Sequence, residues 1–568
     1  MSSNSFMSYV NQTPAEKGSR PFWALLGVIL CLAAPLHAQD LPPDDFSEPG
    51  DADVEPAAFT APPEDALPLD PDPEPVVERA AEPAPAPEPV VTPEVAGAAA
   101  AGDEGDAEEE GDDAEEVEEE EEPAHRFAFG SYGRVNASSD LNGGLGRSTN
   151  IVAYGSRIDE DVYAELELRR EDVLAPGVRS KVVATLALSG PLFHLDGDFD
   201  EQLAVRNLFA EIDGAMVPGL SIWAGSRMVR GDDVYLLNWW PLDNLNIVGG
   251  GAAYRYAKLL SFRLHVGIGR PRDPFYLQTR DVVARRGFEP ASISLLDRPR
   301  VVTALRSAIT PINTPTFGVK IVLYGEIHSL PAGERTTENG SVESLPNDGG
   351  YLLGAQVGLW RNRATSRAAI PRSDGTHTER SFVNIFARYA RGLAAYDTFD
   401  APFRRGRVVP SDSAREALVA ISANFEYSLF GVQLGAYYRS FRDADTNTFG
   451  GGAFNEGAIN IRPQLFFGDF AGVSVDVSYQ ALALAALDER TGDVLRGSVT
   501  KIGIIPFISL AGRGTFARPR LRLIYSLSLR DEGAQRLYPA LDPRSGSGVE
   551  HFIGVGAEWW FDSTSYAL

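Results

Sequence analysis

The sequence predicts an all-β fold: a transmembrane antiparallel β-barrel of about 18 strands, preceded by a disordered acidic N-terminal segment. Three observations lead there. The negative charge is confined to one stretch, a short apolar run stands near the N-terminus, and beyond residue 126 short segments alternate apolar and polar side chains between turns. No stretch of the latter part approaches the eighteen or so apolar residues of a spanning helix.

The chain has 568 residues and a formal net charge of −28. Between Gln39 and His125 stand 31 Asp or Glu against the single Arg79, a local −30. Lys17, Arg20 and Glu16 leave the first 38 residues at +1, and the chain from Arg126 onward is also at +1. An average that suggests an acidic soluble protein therefore describes a nearly neutral body on an acidic tether.

The first element is an export address. Arg20 precedes FWALLGVILCLAAPL, residues 22–36, and His37-Ala38 opens a polar, Pro-rich sequence. The run is shorter than the roughly twenty residues of a membrane span, so residues 1–38 are expected to be a signal peptide cut near Ala38. Cys31 is the only cysteine and falls inside it. The exported chain is then expected to have no disulfide and no thiolate metal site.

Residues 39–125 combine PDPEPVVERAAEPAPAPEPVV with EEEGDDAEEVEEEEE. Such a segment is too charged and too poor in aromatic residues to bury a core, and a disordered periplasmic tether is expected. Its partner is not identified by the sequence.

Residues 126–568 form the third element. In DVYAELELR, residues 161–169, Val162, Ala164, Leu166 and Leu168 share one face, with Asp161, Tyr163, Glu165, Glu167 and Arg169 on the other. One such strand fits a soluble sandwich or a barrel equally, because both alternate with period two. Number and spacing favour the barrel. Candidate strands begin near Phe127, Val162, Lys181, Asn207, Leu220, Gly251, Ser261, Val301, Gly318, Tyr351, Phe382, Ala417, Val432, Gly457, Val473, Val499, Leu521 and His551. Short links such as AKLL, SLFG and FGDFAG alternate with long ones such as residues 270–299, 327–349, 391–415 and 530–550, as in bacterial barrels. The link 361–381 is long where a short turn is due. In FIGVGAEWWF the aromatic end suits the interfacial belt, with Glu558 and Trp560 pointing inward.

One segment has no regular period. GDDVYLLNWWPLDNLNIVGGGAAY, residues 231–254, carries adjacent Trp239 and Trp240 followed by Pro241. It is expected to be a long loop between SIWAGSR and AAYRYAK whose aromatic side chains dock on what the strands build.

At these residues the chain resembles the maltoporins, the sugar-specific porins of Gram-negative outer membranes. The likeness runs through FAFGSYGRV, AYGSRIDEDVYAEL, GLSIWAGSR with GDDVYLLNWW, INIRPQLFF, ARPRLRLIYSLSL and GVGAEWWF, and excludes the acidic tether. It implies an 18-stranded homotrimeric barrel in outer-membrane lipid, with the third outer loop folded in as a constriction carrying Trp239 and Trp240. It also implies passive diffusion of maltodextrin-like sugars along an aromatic stripe, matched here by Tyr132, Tyr163 and Trp560. Phe199 lies near the aromatic that the family lends to a neighbouring subunit. Arg134, Glu165 and Arg206 match the flanking polar track, Arg230 lies close to it, and Asn238 stands in place of a constriction carboxylate. Leu353 and Gly457 stand where the stripe has aromatics, which leaves it shortened. A sugar ring has an apolar face and a polar rim, so aromatic faces beside charged groups complement both.

Other functions find little support. An enzyme needs converging nucleophile, base and orienter, and His265, beside Arg263, has no such company in a motif. There is no phosphate loop, zinc spacing or basic stripe for nucleic acid, and no cofactor is implied. The remaining contender is a general or anion-preferring diffusion porin without a sugar site, since Arg far outnumbers Lys in the body.

Overall fold

The structure, a computed structural model, describes residues 125–190, 202–270, 274–282, 291–295, 298–337, 339–364, 378–397, 409–445, 452–487 and 492–563. The expected signal peptide, nearly all of the tether, Phe199 and the centre of the link 361–381 lie outside the described residues.

Seven strands open the barrel: β1 (His125–Ser139), β2 (Tyr163–Ala175), β3 (Val178–Ser189), β4 (Gln202–Asp213), β5 (Leu220–Arg230), β6 (Asn244–Tyr256) and β7 (Leu260–Gly269). A small hairpin, β8 (Gln278–Val282) and β9 (Ala291–Leu295), stands apart from the wall, as does a second, β12 (Gly333–Thr336) and β13 (Val342–Leu345). The wall continues with β10 (Arg300–Asn313), β11 (Phe317–Leu330), β14 (Asp348–Ala364), β15 (Thr378–Gly392), β16 (Arg415–Tyr427) and β17 (Phe430–Arg442). It is completed by β18 (Ala453–Phe467), β19 (Ala471–Leu487), β20 (Val494–Ser509), β21 (Arg520–Arg530) and β22 (Val549–Phe561). These make one 18-stranded sheet in which each strand pairs antiparallel with the next, and β22 closes on β1 with Trp560 opposite Tyr132.

Closure pairs the backbone groups that lipid cannot, which is the condition for strands to cross a bilayer. The faces are inverted relative to a soluble protein. In β2, Glu165 and Glu167 are buried while Leu166 and Leu168 are exposed, and Leu305, Leu323, Val419 and Ile504 are exposed in the same way elsewhere. The charged face is the lumen and the apolar face meets lipid. Lumen charges are paired across neighbouring strands, as in Arg388–Glu416–Arg439 and Arg462–Asp476.

Three details depart from the sequence expectation. β6 begins at Asn244 and not near Gly251, because Arg230↔Asn244 to Leu220↔Tyr254 form a continuous ladder that outweighs the poor strand propensity of Gly249-Gly250-Gly251. Gly249 lies opposite Gly225 and Gly267, and a Cβ there would strike the Val266 backbone. Secondly, Leu353 is exposed to the lipid side while Leu352 faces in, and Gly457 lies between the buried Glu456 and Ala458. Neither position belongs to the lumen: with a period of two, one residue of slip exchanges the faces. Thirdly, the link 510–519 is long although it shares an end of the barrel with the short turns 428–429 and 468–470.

Candidate functional site

Two loops from the end opposite those turns fold into the lumen. The first, residues 140–162, is strapped to the far wall by side chains. Gln480 accepts from the Ile151 backbone N–H at 3.1 Å, Glu456 from Ala153 at 3.0 Å, and the Tyr437 hydroxyl from Tyr154 at 3.2 Å. Lys501 donates to both Asp159 oxygens at 2.8 and 2.7 Å and to Asn150 at 2.7 Å. The inward folding of this first loop was not among the sequence expectations.

The third loop, residues 231–243, crosses the barrel. Asp232 takes Lys320 at 2.7 Å and Gln356 at 2.8 Å near its start, and Arg388 donates to the Pro241 carbonyl at 3.1 Å near its end. Between them Tyr235–Leu237 make one 3-10 turn, closed by Asn238 at φ 49°, ψ 47°. Asn tolerates this left-handed region better than most residues, so Asn238 shapes the loop. The turn packs on Gly435 of β17, where a Cβ would lie 2.8 Å from Val234 Cγ1.

This arrangement explains the two tryptophans. Trp239 is buried, stacks on Tyr154 of the first loop at 4.1 Å between centroids, and meets Tyr437 at 5.5 Å. Trp240 is buried too, with the Arg230 guanidinium 3.6 Å above its ring, and Arg230 donates to Asn244 Oδ1 at 2.9 Å. They dock the loop within the barrel.

The proposed stripe residues come together on the wall where β22 closes on β1 and β2, with Arg157 of the first loop donating to the Tyr132 hydroxyl at 2.9 Å. Tyr132 lies 6.0 Å from Tyr163 and 6.4 Å from Trp560, nearly parallel to the latter at 9°. Arg134 stands 5.3 Å and Arg206 5.5 Å from the Tyr163 ring, and Arg134 donates to the Tyr132 hydroxyl at 3.1 Å. The Tyr163 hydroxyl donates to Glu165 at 2.5 Å, and Glu165 also pairs with Arg206. Arg206 is the extra residue of a bulge between Thr185↔Asn207 and Leu186↔Val205, which lets it join Asn207 on the lumen side. Tyr163, Arg134, Arg206 and Trp560 are partly exposed, whereas Tyr132 and Glu165 are buried.

The line of rings does not stop at Trp560. Tyr235 of the third loop meets it edge-on at 6.0 Å, Phe516 lies 5.2 Å from Tyr235, and Phe382 of β15 stacks 6.1 Å from Phe516. Phe516 belongs to the long link 510–519, which turns inward from the other end of the barrel. Arg513 anchors it to the carbonyls of Gly468 and Ser428 in the two adjacent turns, and Thr515 bonds Asn424 and Glu426. Arg518 reaches Glu558 at 2.8 Å and the Tyr235 hydroxyl at 2.5 Å. Sequence reading missed these residues. The available signal was the length of LAGRGTFARP, ten residues where neighbouring turns have two or three.

A model of the LamB porin family matches residues 127–561. The chain belongs to the LamB porin family. It is accordingly a porin channel of the outer membrane. No curated protein matches the chain. Among solved structures, this LamB porin is similar to OmpT of Vibrio cholerae in trimer form, at 10% identity over 77% of this chain and 100% of that one, with a TM-score of 0.33. It is also similar to OmpF of Salmonella typhi in complex with daunomycin, at 11% identity over 77% and 98% with a TM-score of 0.36. The outer membrane protein opdK of Pseudomonas aeruginosa gives 11% identity over 77% and 98% with a TM-score of 0.37.

Proposed function

We propose that this LamB porin conducts sugars or short oligosaccharides passively across the outer membrane, as a homotrimer whose acidic N-terminal segment lies in the periplasm. The supporting observation is the Tyr163–Tyr132–Trp560 line, with Arg134, Arg206 and Glu165 beside it. The partly exposed rings of Tyr163 and Trp560 receive the apolar face of a pyranose, with buried Tyr132 between them, and the guanidinium and carboxylate groups exchange hydrogen bonds with its hydroxyls. The third loop, crossing to β17, narrows the path and holds the sugar against these rings.

Transport needs a site strong enough to admit solute and weak enough to release it. Millimolar affinity, about −4 kcal/mol, is the matching scale. Shared among a few rings, this leaves about 1 to 2 kcal/mol for each. Tyr163→Ala is then expected to weaken sugar block of single-channel current roughly five- to thirtyfold, with salt conductance equal or slightly higher. Glu165→Gln weakens it less, because an amide still accepts a hydrogen bond. Equal block in Tyr163→Ala and the parent would make the ring a wall filler and leave a diffusion pore without a sugar site.

A further inference from the structure

We propose that the aromatic line is adapted to acidic carbohydrate, a sugar stacking on Trp560 while its carboxylate meets Arg522. The inference rests on the sugar-pathway reading above and names its substrate class.

The ground is a charge imbalance fixed in the lumen. Glu558 of β22 receives Arg518 Nε at 2.8 Å, Arg157 Nη2 at 3.0 Å and Arg522 Nη1 at 3.3 Å, together with the Tyr235 hydroxyl at 3.1 Å. One carboxylate thus stands against three guanidinium groups. Arg157 shares Glu160 with Arg134, at 3.0 and 3.3 Å, and Arg206 has Glu165. Arg520, next on the inward face of β21, adds a positive charge, and Asp233 of the third loop adds a negative one in the field of Arg157. The group then holds six arginines (134, 157, 206, 518, 520 and 522) and four carboxylates (160, 165, 233 and 558), two positive charges in excess.

Hydrogen bonds to backbone carbonyls satisfy donors without removing charge. Arg518 donates to the carbonyls of Thr515 and Ala517, Arg520 to that of Gly514 and Arg157 to that of Tyr235. These four contacts hold the arginines still and leave the imbalance in place. In a low-dielectric site such an excess draws an anion strongly.

Arg522 is where an incoming anion arrives. It lies on an inward phase of β21, and its side chain keeps 9% exposure against 4% for Arg157 and 2% for Arg518. Its side chain is nine-tenths buried against Glu558, and among the described residues its Nε has no hydrogen-bond partner; the same holds for Arg520 Nε. Trp560 is partly exposed two residues from Glu558, with Arg518 4.5 Å from its ring. The Trp560 ring and the unfilled guanidinium donor are linked through Arg518, which lies over the ring and shares Glu558 with Arg522. A neutral sugar would stack on the ring and hydrogen-bond through its hydroxyls, while a uronate residue adds an ionic contact to Arg522.

The test is single-channel current of the full chain in planar bilayers, with trigalacturonate and maltotriose as blockers of equal length. Trigalacturonate is expected to block at about tenfold lower concentration in dilute salt, with the advantage shrinking as salt screens the charges. Arg522→Gln should bring the ratio of the two blocking concentrations toward one, and Arg522→Lys should retain part of it. Maltotriose blocking as well as trigalacturonate, or an unchanged ratio in Arg522→Gln, overturns the inference and leaves the sugar pathway standing. Block by neither overturns both.

Discussion

Tyr154 of the first loop and Trp239 of the third stack inside the barrel with centroids 4.1 Å apart and planes 15° from parallel. Each inward loop therefore rests on the other. Trp239→Ala removes a buried ring, a change that costs about 3–5 kcal/mol in a packed core. Because the barrel ladder does not pass through this contact, the expected loss is of loop docking. Planar-bilayer recordings should show a larger and noisier current from a barrel that still migrates as folded on gels. A steady parental current from Trp239→Ala would mean that the wall contacts alone hold the loop.

The inward link 510–519 should set the pore from the opposite side. Phe516 touches both Tyr235 and Phe382, so Phe516→Ala is expected to raise conductance without altering the fold. With Cys31 replaced by Ser, Phe516→Cys should react with a charged thiol reagent added on the side of the short turns and not on the other. Modification from the long-loop side alone would reverse the assignment.

Acid should change the pore's selectivity. Burial pushes the Asp243 carboxyl up to about 6 against the pull of Arg306, with Asp232 adding to the rise; Arg306 lies 3.0 Å away, and Arg263 also faces it. Burial raises Asp233 to about 6 in the same way, against Arg157 and with Asp232 again adding. Both carboxyls hold a proton more firmly in the folded loop than an ordinary Asp near 3.9. The folded loop is therefore favoured below about pH 4, and that contribution is lost as pH rises through about 6. Reversal potentials in a salt gradient should move toward anion preference as pH falls through about 6. Asp243→Asn and Asp233→Asn should each remove part of the step, and an undiminished step in both would assign it to other groups.

The lipid face offers a direct check of the barrel's orientation. Leu323 lies near the middle of β11 and is exposed. Leu323→Arg should destabilise the inserted barrel by about 2–4 kcal/mol, the cost of a midplane arginine, as measured by urea unfolding in lipid. A negligible cost would place Leu323 in water.

The barrel was legible because its information is local. Alternation in DVYAELELR needs no knowledge of any other strand, and Leu220 begins β5 as the pattern predicts. β6 was partly hidden, since three glycines give no alternation and the strand is held by the neighbours they allow to come close. The inward phases of Tyr132, Tyr163 and Trp560 follow from period two, while their choice as stripe residues came from the resemblance to the maltoporins. The roles of Tyr154, Arg157 and Phe516 could not be read, because their partners lie in elements far along the chain. Trp239 and Trp240 were visible as rings needing burial, but what buries them is the first loop and Arg230, and neither was foreseeable from their own surroundings.

The first loop's tethers have a consequence for biogenesis. Residues 150–154 are fastened to groups 283 to 351 positions later in the chain, on β17 through β20. None of those anchors exists until the C-terminal half has been threaded into the sheet. An inserting barrel must therefore pass through a stage in which the wall is nearly complete and the first loop is still outside its seat. Narrowing of the conduit is a late event, and the wide intermediate that precedes it is the state in which a cell would be exposed to leakage.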